Sequence, residues 1–273
     1  MNCMVCETKS SREFHFKDVD VFRCPCCGHA FSANYRVNVD EIYGLHYFTE
    51  AHKNWFNNPD KKLFKYISKS ILKFKNKNAS IIDLGCGNGN FLNYLALNGF
   101  RNLTGLDIVE QNNIENFEYI KGDIEKIEGA RKFDVVVTMM NIEHLKDPNR
   151  YIQQLKKLGK EDSIFIINTI DESSLIYKIA GFLFKFGFKS SAERLYHPHH
   201  INHYSQASLE RVCYNNGLNY REKFKKNYPL NSVDIDNESF KYLKFAGIIV
   251  INFLSDFFKR QISQTIILER KAT

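Results

Sequence analysis

The chain has 273 residues, 44% hydrophobic and 25% charged, a composition that suits one large globular domain, or one domain with a small appendage, and excludes a disordered chain. Its net charge of +7 comes from lysines spread along the whole length, so charge alone does not demand a nucleic-acid partner. The N-terminus carries no apolar run of signal-peptide length, and the longest apolar stretch, Phe245 to Leu254, is ten residues where a membrane-spanning helix needs about twenty. A cytoplasmic protein without a transmembrane segment is expected.

Five of the seven cysteines lie in the first 27 residues. Cys3 and Cys6 form one C-x2-C pair, and Cys24 and Cys27 form another after seventeen intervening residues. Four thiolates in two such knuckles can surround zinc tetrahedrally, leaving no position open for water or substrate, so the predicted site is structural. Cys26 and, more weakly, His29 are alternative ligands. The segment reads as poor in apolar residues, and metal binding is expected to supply what its core lacks.

From about residue 60 the pattern alternates between helix and strand. "KKLFKYISKSILKF" places Leu63, Phe64, Ile67, Ile71 and Phe74 at helical spacing with lysines opposite. Short apolar runs suited to buried parallel strands follow at Ser80–Leu84, Leu103–Asp107, Phe117–Lys121, Phe133–Met139 and Ser163–Asn168. Helical stretches intervene at Asn88–Asn98 and Pro148–Leu158. This order predicts an α/β fold, a doubly wound parallel sheet that binds ligands at the carboxyl ends of its strands.

The first strand runs into "IIDLGCGNGNF". A dinucleotide loop wants G-x-G-x-x-G to hold a pyrophosphate at a helix N-terminus. Here the third glycine comes one residue early, at Gly85, Gly87 and Gly89, and Asp83 precedes them. An acid there repels phosphate and suits an ammonium group, which fits an adenosyl cofactor with an amino-acid end.

These residues resemble the first motif, D/E-x-G-x-G-x-G, of the class I S-adenosylmethionine-dependent methyltransferases. "LTGLDI", "IKGDIE" and "FDVVVTMMNIEHLKDP" follow in the family's order. The resemblance implies a Rossmann-like sheet of seven strands with the last pair antiparallel, and a cofactor site made of particular residues. Asp83, Gly85, Cys86, Gly87 and Gly89 would hold the methionyl end, Asp107 with Ile108 the ribose, and Asp123 with Ile124 the adenine. Met140 and Asn141 follow the fourth strand. With "IYGLHYF" and "HPHHINHYS", the chain also resembles a bacterial subfamily that carries an N-terminal cysteine segment and tailors cell-surface saccharides, capsule-modification enzymes among them. Its organisation is then residues 1–40 for zinc, 41–79 an aromatic linker and helix, and 80–273 the methyltransferase domain with a lid insertion at about 171–205. Sugar C-methyltransferases with such cysteine segments carry a longer C-terminal domain, which disfavours carbon as the acceptor.

Methyl transfer to a hydroxyl needs alignment and a base. His144 in "NIEHL" is one candidate; His199 and His200 in "HPHHINHYS" are others, with His197 and His203 beside them. An imidazole with a pKa near 6.5 suits the role at cytoplasmic pH. His200 is the first choice, because its place in the motif resembles a substrate-side position of the subfamily. Leu175, Ile176, Ile179, Phe182, Leu183 and Phe186 mark an apolar helix face, read as a lid over the substrate cleft, with a membrane-surface helix as the alternative because of Lys178, Lys185 and Lys189. Tyr43, Tyr47 and Phe48 would close over the sulfonium or fill a core. Strands near Leu218–Phe224 and Gln264–Glu269 flank a long apolar helix near Phe240–Phe258.

The expected acceptor is a small polar metabolite: a sugar, sugar nucleotide or phosphoramidate-type capsule precursor. An RNA or DNA methyltransferase is disfavoured, since "TMMNIE" offers neither an N/D-P-P-Y loop nor a cysteine for carbon-5 chemistry. A scaffold that binds cofactor without turnover is the third reading, against which the intact acids at 83, 107 and 123 speak.

Overall fold

The structure is a computed structural model that describes residues 1–36, 57–110, 114–124, 126, 131–232 and 241–271, with the backbone alone for 241–244. Tyr43, Tyr47 and Phe48 lie outside the described residues. The chain divides into two compact units, one of residues 1–59, 170–209 and 225–264, the other of 60–169, 210–224 and 265–273.

In the second unit, Asp60 caps helix α1 (Lys61–Phe74) by accepting a 3.0 Å hydrogen bond from the Leu63 amide. Leu63, Phe64, Ile67 and Ile71 face inward, as their spacing predicts. Strand β4 (Ser80–Leu84) turns through the glycines into α2 (Asn90–Leu97), and β5 (Asn102–Asp107), β6 (Glu118–Lys121) and β7 (Phe133–Met139) follow. Helix α3 (Pro148–Leu158) begins with proline at its first position behind the Asp147 cap and buries Tyr151, Ile152, Leu155 and Leu158.

Strands β8 (Gly159–Ile170), β10 (Leu218–Lys226) and β11 (Ser263–Arg270) complete seven strands in the order β10-β11-β8-β7-β4-β5-β6, with the last pair in the chain antiparallel. Strand β4 pairs in parallel with both β5 and β7, so the winding reverses around it. Sheets of this kind bind ligands at such a reversal, outside the carboxyl ends of the strands. Residues on both faces of β4, β7 and β8 are buried, and Ile67, Ile71, Ile81, Leu92, Leu95, Val135, Val137 and Ile166 form one core.

The first unit holds an antiparallel sheet, β1 (Ser11–His15), β2 (Asp20–Arg23), β3 (Ala30–Ala33) and β9 (Asn202–His203), in that order. Its core joins Phe14, Phe16, Val19 and Val21 to Tyr177 and Ala180 of α4 (Leu175–Lys185), Ala192 of α5 (Ser190–Leu195) and Tyr196. The cysteine segment therefore has an apolar core after all, because much of it arrives from a stretch about 150 residues downstream, invisible to a local reading. Residues 171–205, expected as a lid insertion, contribute α4, α5 and β9 to this same unit. Helices α6 (Gln206–Asn215) and α7 (Lys241–Phe257) complete the described α-helices.

Candidate functional site

The glycines of the β4–α2 turn all have left-handed backbones, with φ of 71° at Gly85, 55° at Gly87 and 74° at Gly89. That conformation is costly for residues with a Cβ. Space is short as well. A Cβ on Gly85 would lie 2.3 Å from the Asn141 amide, and one on Gly89 2.3 Å from the Phe117 ring. Asn141 is fixed in place, since its Nδ2 donates to the carbonyls of Leu84 at 2.7 Å and Met139 at 3.0 Å. Met140 before it takes φ of 55°, unusual for a side chain of its size, and its amide donates to Asn168 at 2.9 Å.

Asp83 is 1% exposed, and neither carboxylate oxygen has a hydrogen-bond partner among the described residues. Burial, followed by the like charge of Asp107, pushes its pKa well above the usual carboxylate range. An unpaired buried carboxyl costs stability unless a ligand donor completes it, and an ammonium group is the complementary donor. Asp107 at the end of β5 is differently placed. Its oxygens accept from the amides of Gly87 at 2.8 Å and Val109 at 3.1 Å. Each oxygen keeps a further lone pair, so the carboxylate can also receive two hydroxyls.

Ile108 is exposed, Asp123 is half-buried and bridged to Lys126 at 3.1 Å, and Ile124 is half-buried beside it. Tyr119 braces the β5 exit by donating to the carbonyls of Asp107 and Val109. Cys86 is buried with its sulfur against Gly105, where a Cβ would come within 2.8 Å of it. The residues present thus fit an adenosyl cofactor with an amino-acid tail: an orphaned acid, a cradle that only glycine leaves open, and a second acid with free acceptor capacity. Phe117 and Tyr119 escaped the sequence reading, because no motif distinguishes an aromatic that walls a site from one that fills a core.

His144 sits in a single 3-10 turn, Ile142–His144, after β7. Its neighbour Glu143 is fully buried and accepts from the Thr169 hydroxyl at 2.8 Å, and burial raises its pKa. In the first unit, His199 is buried and His200 half-buried, their rings 4.2 Å apart, with the His197 ring 4.3 Å from His199. His203 is of another kind. It lies in β9, 3% exposed, shares a 2.9 Å hydrogen bond with Ser32, and is lowered to about 3 by burial and by the charges of His29 and Arg23. An imidazole so buried is part of the sheet's framework.

The thiols of Cys3, Cys6, Cys24 and Cys27 all lie within 4.8 Å of one another. Three sulfur pairs stand at 3.5–3.6 Å, close to the ~3.8 Å edge of a tetrahedron with zinc–sulfur bonds of about 2.3 Å. Burial pushes the Cys3 and Cys27 thiols up, Cys3 to about 11, whereas at Cys24 the amides of Cys27 and Cys26 outweigh burial and bring it down to about 7. Cys26 is exposed and outside the group. His29 points its Nε2 to Asn202 at 3.1 Å.

The family described as "Methyltransferase domain" matches residues 59–223. A ubiquinone biosynthesis O-methyltransferase of Rickettsia bellii is 32% identical over 108 residues, 36% of this chain and 44% of that protein. The chain spans about half the length of the curated relatives it matches first. Among solved structures, the Burkholderia thailandensis 1,6-didemethyltoxoflavin-N1-methyltransferase, with bound 1,6-didemethyltoxoflavin and S-adenosylhomocysteine, superposes with a TM-score of 0.56 at 11% identity, covering 96% of this chain and 100% of that one. The [4+2]-cyclase SpnF gives 0.54 at 10% identity, over 78% of this chain and 82% of its own. A transferase and a cyclase on one fold show that the fold does not fix the reaction.

Proposed function

The chain belongs to the methyltransferase-domain family, and from that premise we propose that it transfers a methyl group from S-adenosylmethionine to an oxygen of a small-molecule acceptor. The single observation that carries the reading is Asp83, a buried carboxyl with no hydrogen-bond donor among the described residues, beside a turn where Gly85 and Gly89 leave no room for a Cβ. S-adenosylmethionine supplies an activated methyl on a sulfonium. Asp83 with Gly85, Cys86, Gly87 and Gly89 holds the amino-acid tail and Asp107 with Ile108 the ribose hydroxyls. Asp123 and Ile124 flank the adenine, and Met140 with Asn141 shapes the exit of β7. The base is assigned to His200, with His144 and His199 as the other candidates.

The name of the Rickettsia bellii relative supports oxygen as the atom methylated. That name also brings a ubiquinone precursor forward as acceptor. The resemblance of the cysteine segment and "HPHHINHYS" to capsule-tailoring enzymes supports a sugar, sugar nucleotide or phosphoramidate precursor. Both classes belong in one assay, with mass spectrometry detecting a single added methyl. The reading itself is tested by calorimetry. The wild type binds S-adenosylmethionine, and Asp107→Ala weakens it about 100-fold, the loss of two hydrogen bonds to a charged group, with circular dichroism unchanged. Unchanged affinity, or uptake of a nicotinamide dinucleotide instead, overturns the assignment.

A further inference from the structure

Helices α4 and α7, both in the first unit, pack against each other. Each leaves large apolar side chains in solvent. Helix α4 turns Tyr177, Ala180 and Phe184 inward against Phe14 and Phe16, and Phe182 and Phe186 of the apolar face marked in the sequence are exposed, with rings 4.9 Å apart. The local pattern could not choose, because this helix is apolar nearly all round.

Helix α7 is inverted. Its one buried side chain from 245 onward is Ser255, which bonds to Asn227 at 2.7 Å, while the Asn252 carbonyl accepts from the same Asn227 at 3.1 Å. The outward row is Val250, Phe253 and Phe257, the two phenylalanines 71% and 73% exposed. Water is the wrong medium for such a row, and large apolar side chains exposed in rows mark an interaction surface.

The charges around the rows are mostly basic. Lys178, Lys185, Lys189, Lys259 and Arg260 are exposed and form no ion pair among the described residues, against Glu193 and Asp256 as acids. A two-fold dimer through this face would set the same basic rim against itself. Anionic headgroups complement it, and no helix among the described residues is long and apolar enough to cross a membrane. We propose that the outward faces of α4 and α7 dock the protein on an anionic lipid bilayer, with the aromatic side chains in the headgroup–acyl boundary and the basic rim on the headgroups. This surface stands independently of the methyl acceptor.

Sedimentation of the full chain with vesicles tests it. The protein should pellet with phosphatidylcholine vesicles containing phosphatidylglycerol and much less with phosphatidylcholine alone. Phe253→Ser with Phe257→Ser should cut partitioning about tenfold or more, as expected for two aromatic side chains that no longer bury. Lys185→Glu with Lys189→Glu should cut it roughly fivefold per lysine at low salt. All four positions are exposed, so near-ultraviolet circular dichroism should not change. The proposal falls if anionic vesicles do not recruit the wild type, if these variants bind as it does, or if ultracentrifugation finds a dimer that the phenylalanine variant dissociates.

Discussion

Asp20 and Asp83 are both buried carboxylates at the ends of strands, and they are built in opposite ways. Asp20 opens β2 and accepts from His15 Nδ1 at 2.6 Å, Asn34 at 2.9 Å and Arg36 at 3.2 Å, which outweigh its burial and hold its pKa below the usual range. Asp83 near the end of β4 receives no hydrogen bond from the described residues, and its pKa moves the other way. One region of the chain spends its polar groups on its own structure. The other keeps an acid unsatisfied at a tight glycine turn, a cost that makes physical sense only where a ligand completes it.

The largest test of that contrast offers a chelator to the four clustered thiols of the first region. We expect about one zinc per chain, and a strong chelator or Cys24→Ser should abolish protection of the β1–β3 amides in hydrogen exchange. Structural zinc contributes on the order of 10 kcal/mol in small peptides, more than a four-stranded sheet can spare. The strands of the larger sheet should keep their protection. If β1–β3 stay protected without metal, their apolar core suffices and the four thiols need another explanation.

A second test makes one chemical change in both places. Asp20→Asn should lower stability by about 1–3 kcal/mol, the value of hydrogen bonds to a charged group, while leaving the rise in melting temperature with S-adenosylmethionine intact. Asp83→Asn removes no protein hydrogen bond, so melting without cofactor should hold or rise, and the cofactor-induced rise should vanish. Equal losses from the two substitutions would make Asp83 a structural residue.

How far the sequence discloses these regions follows from the range of their contacts. The glycine turn and the acids at the ends of β4 and β5 are local, and the parallel strands announce themselves as short apolar runs, so the larger sheet and its glycine turn are legible. The first unit is not, because its decisive pairs lie far apart in sequence: Arg23 with Glu172, Ser32 with His203, His29 with Asn202. Histidines that look alike in "HPHHINHYS" therefore separate only in three dimensions, with His203 in a strand and His200 half-buried outside it. Helix α7 is legible as a helix but not in its facing, since an inward serine and outward phenylalanines invert the rule by which faces are assigned.

The smallest expected effect concerns His203 and turns on sign. Its folded pKa of about 3 lies below the ordinary 6.5, so the folded state stays neutral while the unfolded chain takes up a proton as pH falls. Its contribution is complete above pH 6.5 and drains away between 6.5 and about 3, at no more than about 1.4 kcal/mol per pH unit. Asp20 also has a lowered pKa, but its contribution begins to fail only as pH drops below the ordinary carboxylate value of 3.8, so the interval from 6.5 to 4 separates the two. Thiolates also protonate on acidification, which rules out reading the slope from wild type alone. The difference between wild type and His203→Gln isolates the imidazole, because the cysteines titrate in both. Denaturant melts at half-unit steps should show the variant less stable near pH 7, where the Ser32 contact is disturbed, and relatively better off near pH 4. Parallel curves would mean that the imidazole takes up its proton in the folded sheet as readily as in the unfolded chain, and that the first region is less dry than its packing implies.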